Sequence, residues 1–196
     1  SKTSVLQYLG VHYIDIISFV TGALPLRVMA IGQKTELIKH DLDTYDSIQS
    51  IIEWKMQNGT KFTQTLLTSW VDPESSSAAS DQKIKFIGTE GRFEADQKER
   101  GIRINTKQEG LQHINPDFSM PYGINDGNVH WNGYGIESIK TFLKDVLFIE
   151  NNKISLKEIK NRRPSFEDSL ISTAVVEAAH KSLENGSIWQ NVESLS

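Results

Sequence analysis

The chain has 196 residues, 38% of them hydrophobic, and this size and composition fit one globular core. Its formal net charge of −4 gives no broad basic surface for nucleic acid, and no apolar run reaches the length of a membrane span. The absence of cysteine rules out disulfides, thiolate metal ligands and cysteine nucleophiles, and it is compatible with a reducing cytoplasm. We therefore predict a single domain over residues 1–196 of a cytoplasmic protein that binds neither nucleic acid nor a membrane.

The first predicted element is a helix over residues 6–21 with polar groups on an apolar background. Residues three and four apart share one face of a helix, and the face with the polar groups holds Tyr8, His12, Asp15 and Phe19. A carboxylate one turn from an imidazole can fix its tautomer and favour its protonated form. His12 is therefore a candidate for proton transfer with a substrate hydroxyl, although a histidine near a helix centre is more often a packing residue.

The middle of the chain alternates apolar and polar residues, which is typical of β-strands. An extended stretch is predicted over residues 26–31, and alternating runs on both sides of Asn58-Gly59 predict a hairpin with its turn there. Shorter alternating runs follow near residues 84–86, 93–95 and 102–105. This pattern gives about six strands joined mostly by hairpins. The predicted fold class is α+β, an open and mostly antiparallel sheet with helices packed on one face.

Residues 108–135 are rich in glycine, asparagine, aspartate and aromatic residues, and we predict a long binding loop there. In it, Trp131 and Tyr134 could form an apolar platform under a sugar ring while Asp126 or Asn125 bonds the ring hydroxyls. The alternative is that these aromatic side chains only pin the loop against the sheet. After this segment, helical spacing predicts helices over residues 136–149, 155–160 and 165–183. A last short strand is predicted over residues 188–192.

The open face of the predicted sheet has mixed polarity. Thr63 and Thr65 share it with Leu67, and Ile51 and Val71 add apolar surface. Such a face can simply be exposed to solvent, but leaving a broad, partly apolar surface in water costs free energy. We therefore predict a homo-oligomer in which this face pairs with a second subunit.

Four segments of the chain, taken in order, resemble one known family. They are Gly10-Val-His12-Tyr-Ile-Asp15, Ile87-Gly-Thr-Glu-Gly91-Arg-Phe-Glu94, Gly133-Tyr-Gly135-Ile-Glu-Ser138 and Arg163-Pro-Ser-Phe-Glu-Asp168. Nearly the whole chain is similar to the C-terminal domain of the Gfo/Idh/MocA oxidoreductases. The resemblance implies a domain that shapes the substrate pocket and builds the oligomer, preceded in the family by a Rossmann domain that binds NAD or NADP. These residues contain no G-x-G-x-x-G segment after a strand, so we expect the fragment alone to bind dinucleotide poorly and to be inactive.

The resemblance also implies roles for individual residues. His12 matches the family's proton donor or acceptor at the substrate hydroxyl, which works while a hydride moves between substrate and nicotinamide. Many members have an aspartate four residues earlier, where this chain has Tyr8, and Asp15 is then the alternative group that orients His12. His180 is either a cofactor-binding residue or a surface histidine. His40 has acidic neighbours but not the spacing of metal ligands, and no metal site is predicted.

The function implied is that of an NAD(P)-dependent oxidoreductase acting on a hydroxyl of a sugar, polyol or related compound. The alternative is a non-catalytic binding or dimerisation module derived from the same family, which the tyrosine at position 8 would allow.

Overall fold

The computed structural model describes residues 3–75, 81–98, 101–114, 119–123 and 127–193. Within these ranges the strand pairs are all antiparallel and helices accompany them, which confirms the α+β class. The chain forms two compact units, a first unit of Ser1–Ser75 with Pro164–Ser196 and a second unit of Ser76–Arg163. The single domain predicted for the whole chain stays a prediction, because two compact units can still unfold together. No helix in the described ranges has both the length and the apolar character needed to cross a bilayer.

The first unit is built on one four-stranded sheet. Its strands are β1 (Leu24–Gln33), β2 (Ser47–Lys55), β3 (Lys61–Ser69) and β10 (Gln190–Asn191), in the order β10-β1-β2-β3. A π-helical turn, Leu6–Gly10, leads into helix α1 (Val11–Thr21), and the last helix is α4 (Phe166–Glu184). The hairpin predicted at Asn58-Gly59 is confirmed, and Gly59 supplies the positive φ of 87° that the turn requires.

The core of the first unit lies between its sheet and its helices. Alternate residues of the central strands point inward, since successive side chains of a strand lie on opposite faces. The buried apolar side chains include Val28, Ile48, Ile52, Trp54, Ile14, Ile17, Val175 and Ala179. The Ser182 hydroxyl joins α4 to the sheet, because it donates to the Ile188 carbonyl at 2.6 Å and accepts the Ala30 amide at 3.0 Å. Predicted and observed helix bounds differ here by only one or two residues.

The second unit has its own four-stranded sheet and a separate hairpin. The sheet order is β4 (Lys83–Ile87), β5 (Gly91–Asp96), β6 (Gly101–Thr106) and β7 (Gly110–Ile114). The hairpin pairs β8 (Ser119–Gly123) with β9 (Val129–Gly133), and the helices are α2 (Tyr134–Glu150) and α3 (Leu156–Lys160). The strands of the described ranges are therefore divided between two sheets and one hairpin.

The long loop predicted over residues 108–135 is wrong as secondary structure. Three strands, β7, β8 and β9, occupy most of the described residues of this segment. Each has only 5 residues, which is too short for alternation to stand out from a composition rich in turn-forming residues. The composition therefore gave no sign of the three short strands.

Candidate functional site

The polar face predicted for the first helix lies on the solvent side. Tyr8, His12 and Asp15 are exposed, whereas Ile14 and Ile17 on the opposite side are buried. Within the described residues, no ion pair joins the His12 imidazole to the Asp15 carboxylate. The imidazole is therefore open to a ligand, and the orienting role of Asp15 stays a prediction.

The N-terminal end of the helix that carries His12 contacts the edge strand β3. Gly10 makes this approach possible, because a Cβ atom there would lie 3.1 Å from Thr68 Cγ2 and 2.6 Å from Leu6 Cδ1. Further along, the Gln64 side-chain amide donates to the Tyr13 carbonyl at 3.1 Å. The π-helical turn that precedes α1 departs from regular α-helical geometry, and such turns are often found at functional sites. Contacts with β3 near the N-terminal end of α1 position the turn that carries His12.

The start of this helix is held by a buried serine and a histidine of α4. Ser4 is only 6% exposed, its Oγ lies 2.7 Å from His180 Nε2, and it accepts the Gln7 amide at 3.1 Å. Burial lowers the pKa of His180, and the negative charge of Glu184 opposes this shift. When the ring is neutral, Nε2 can accept a hydrogen bond from the Ser4 hydroxyl, while the Ser4 oxygen accepts a hydrogen bond from the Gln7 amide. The cofactor contact of His180 stays a prediction, whereas the structure shows its bond to Ser4.

Tyr8 packs against Trp70, a residue that sequence reasoning missed. The ring centroids lie 5.3 Å apart at an interplanar angle of 38°. Both rings are partly in solvent, with exposed fractions of 60% for Tyr8 and 37% for Trp70. Trp70 follows β3 and continues the alternation of its helix-facing residues Leu66 and Thr68, and that alternation was the available sequence signal.

The backbone of Trp70 is hydrogen-bonded to Asp46, a residue with a buried carboxylate. Asp46 is 5% exposed, and its side chain accepts the amides of Thr35, Glu36 and Leu37 at 2.6 to 2.8 Å. It also accepts the Thr35 hydroxyl at 2.8 Å, and these bonds hold the pKa of Asp46 well below its usual value. The Asp46 carbonyl accepts the Trp70 amide at 2.8 Å. One residue thus joins the β1–β2 connection to the segment that carries Trp70.

The other predicted site residues belong to the second unit. Trp131 lies in β9 and Tyr134 begins α2, and both side chains are exposed. Asp126 lies outside the described residues. The substrate-binding roles of Tyr8, Asp126, Trp131 and Tyr134 stay predictions. Across the described ranges, no group of three or more histidine, aspartate or glutamate side chains is arranged to hold a metal ion.

Residues 2–192 match a family model described as the oxidoreductase family, C-terminal alpha/beta domain. No curated protein matches the chain. Solved structures do match, among them an oxidoreductase from Pseudomonas syringae with 18% identity and a TM-score of 0.69, covering 97% of this chain and 52% of that one.

Two further similar structures have more informative names. An inositol dehydrogenase homolog from Azotobacter vinelandii complexed with NAD+ has 16% identity and a TM-score of 0.60, with coverage of 95% of this chain and 48% of that one. A UDP-N-acetylglucosamine 3-dehydrogenase from Acidithiobacillus ferrooxidans has 16% identity and a TM-score of 0.57, with coverage of 94% and 48%. At these identities the likeness shows the fold, and the chain spans about half the length of these relatives.

Proposed function

Because this chain belongs to the Gfo/Idh/MocA oxidoreductase family as its C-terminal alpha/beta domain, we propose that it is the substrate-binding and oligomerising part of an NAD(P)-dependent oxidoreductase. The proposed reaction moves a hydride between nicotinamide and a carbon bearing a hydroxyl in a sugar, polyol or related compound. The names of two similar structures, an inositol dehydrogenase homolog and a UDP-N-acetylglucosamine 3-dehydrogenase, support this class of substrate. The observation that carries the proposal is the exposed His12 on a helix whose N-terminal end is held by Ser4 and by Gln64 of β3.

The described residues do not form a dinucleotide cradle by themselves. Strand β9 does run into helix α2 through Gly133-Tyr134-Gly135, but β9 pairs antiparallel with β8. A dinucleotide-binding unit instead places its glycine-rich turn between parallel strands and a crossover helix. We therefore assign the binding of NAD or NADP, which would supply or take up the hydride, to an N-terminal domain of the full-length protein.

His12 supplies the proton step of this reaction. In the direction of oxidation, a ring nitrogen accepts the hydroxyl proton as the carbonyl forms, and in reduction it returns that proton. Exposure suits this role, because the imidazole must reach a substrate that arrives from solvent. Tyr8, one turn earlier, is placed to contact the same substrate and has a hydroxyl that can donate or accept a hydrogen bond.

Turnover by the full-length protein tests the proposed function. The protein is incubated with NAD+ or NADP+ and a panel containing myo-inositol, UDP-N-acetylglucosamine, pyranosides and open-chain polyols, and formation of reduced cofactor is measured. We expect turnover with at least one substrate and one cofactor. A folded protein that binds panel members but never reduces either cofactor supports the non-catalytic module instead, the alternative that Tyr8 in place of the family's aspartate favours.

We also propose that the open face of the first sheet joins two copies of the protein. This face lies opposite the helices and exposes Ile31, Ile51 and Leu67, the last with 66% of its surface in solvent. Met29 pairs with Ile51 across β1 and β2, so the apolar side chains are neighbours. Gln49 lies between Ile31 and Leu67, so the face is partly apolar, and an exposed patch of this kind marks an interaction site.

A lysine at position 67 is expected to disrupt this interface. Leu67→Lys places a charge on the most exposed apolar residue of the patch, and burying that charge without a partner costs several kcal/mol. Analytical ultracentrifugation should show a dimer or larger oligomer for the wild type and a smaller species for the variant. Leu111→Lys, at another exposed strand leucine in the second unit, serves as the control and should leave the oligomer unchanged. A monomeric wild type at high concentration would contradict the proposal.

A further inference from the structure

Two large aromatic rings lie side by side on the surface that carries His12. Tyr8 and Trp70 are 60% and 37% exposed, and their centroids are 5.3 Å apart. Rings this exposed leave much apolar surface in water although they already contact each other. That surface is available to the apolar face of a ligand.

The backbone that carries both rings is held by hydrogen bonds. The Trp70 amide donates to the Asp46 carbonyl at 2.8 Å, and the amide of the next residue, Val71, donates to Ser69 Oγ at 3.1 Å. The Tyr8 amide donates to the carbonyl of Ser4 at 3.1 Å. A ligand that binds here orders little additional backbone, so most of the stacking energy becomes affinity.

The platform lies one helical turn from the proposed proton acceptor. Residues four apart on a helix are neighbours, and Tyr8 in the π-helical turn is four residues before His12 in α1. A ring-shaped molecule lying on Tyr8 and Trp70 can therefore extend a hydroxyl from its edge toward His12.

We infer that Tyr8 and Trp70 form a stacking platform for the C–H face of a cyclic substrate, and that Trp70 is a specificity-determining residue. A pyranose or cyclitol ring presents several C–H bonds on one face, whereas an open-chain polyol has no fixed apolar face and loses more rotational freedom on binding. The platform thus selects cyclic over open-chain hydroxyl compounds. This inference rests on the proposed function for the identity of the reaction, but not for the binding itself.

Kinetics of the full-length protein separate stacking from chemistry. For a cyclic substrate such as myo-inositol or methyl β-D-glucopyranoside, Trp70→Ala should raise KM about tenfold or more, as expected for loss of a stacked ring, and change kcat little. Trp70→Phe keeps an aromatic face and should recover much of the loss. Trp189→Ala is the matched control, because Trp189 is 38% exposed and its ring contacts Arg27 instead of Tyr8. An unchanged KM in Trp70→Ala would overturn the inference.

A binding measurement keeps the inference testable without turnover. Saturation-transfer NMR detects contact between the aromatic protons of the full-length protein and myo-inositol or methyl β-D-glucopyranoside. We expect transfer for the wild type, a strong decrease for Trp70→Ala and none for sorbitol. Transfer without turnover would support the platform and contradict the oxidoreductase. If neither cyclic probe binds, or if Trp70→Ala binds both as well as the wild type, the platform does not exist.

Discussion

Replacement of His12 by alanine in the full-length protein should lower kcat about 100-fold or more, within the usual range for loss of a general acid or base. The imidazole is exposed, so its removal leaves no buried cavity and the fold should be retained. KM should change much less than kcat, because the proton is transferred only as the reaction proceeds. Steady-state kinetics with the best substrate of the panel measure both effects.

A matched control separates this effect from damage to α1. Val20→Ala shortens another exposed side chain of the same helix, 62% exposed in the structure, and should leave kcat unchanged. His12→Gln keeps a polar side chain of similar reach but cannot take up the proton, and it should be nearly as slow as His12→Ala. A wild-type kcat in His12→Ala would show that His12 takes no part in the reaction.

Asp46→Ala should lower the free energy of unfolding by about 3 kcal/mol, because the partners of a buried acceptor lose their hydrogen bonds. The amides of Thr35, Glu36 and Leu37 all donate to this carboxylate. Urea denaturation of the variant and the wild type gives the difference. Asp43→Ala is the control, because Asp43 forms only an exposed ion pair with Lys34, and its loss should cost less than about 1 kcal/mol. Equal stability of Asp46→Ala and the wild type would show that these bonds contribute nothing net.

The contribution of Asp46 should also depend on pH. Its pKa is lowered in the folded state from an ordinary value of 3.8, so below that value the unfolded chain binds a proton that the folded chain does not. The stabilisation is therefore complete above pH 3.8 and is lost as the pH falls through the folded-state pKa. Asp46→Asn has no proton to bind, and the gap in stability between it and the wild type should narrow by at most about 1.4 kcal/mol per pH unit in this acid range. A constant gap down to pH 2 would contradict the low pKa.

Local signals in the sequence predicted the helices and the first hairpin correctly. Gly22 ends α1 with a φ of 63°, and the Asn58-Gly59 turn follows from the conformations that glycine allows. These features depend on neighbouring residues only. The short strands β7, β8 and β9 were missed because they are defined by their pairing partners and not by their own sequence patterns.

The candidate site was predicted in part. Spacing along one helix placed Tyr8, His12 and Asp15 together, because helical neighbours follow from chain position alone. Trp70 and its support from Asp46 depend on contacts between separate elements, which spacing does not reveal. The bond between Ser4 and His180 joins residues 176 positions apart, and only the folded chain brings them together.

The proposed function depends most on the transfer of a proton between His12 and the substrate hydroxyl. A crystal structure of the full-length protein with NAD(H) or NADP(H) and a bound substrate from the panel tests this contact most directly. We predict a ring nitrogen of His12 within about 3.2 Å of the hydroxyl on the carbon that faces the nicotinamide, since proton transfer requires hydrogen-bond reach. A substrate whose reacting hydroxyl contacts another acid or base, with His12 in bulk solvent, would contradict the account.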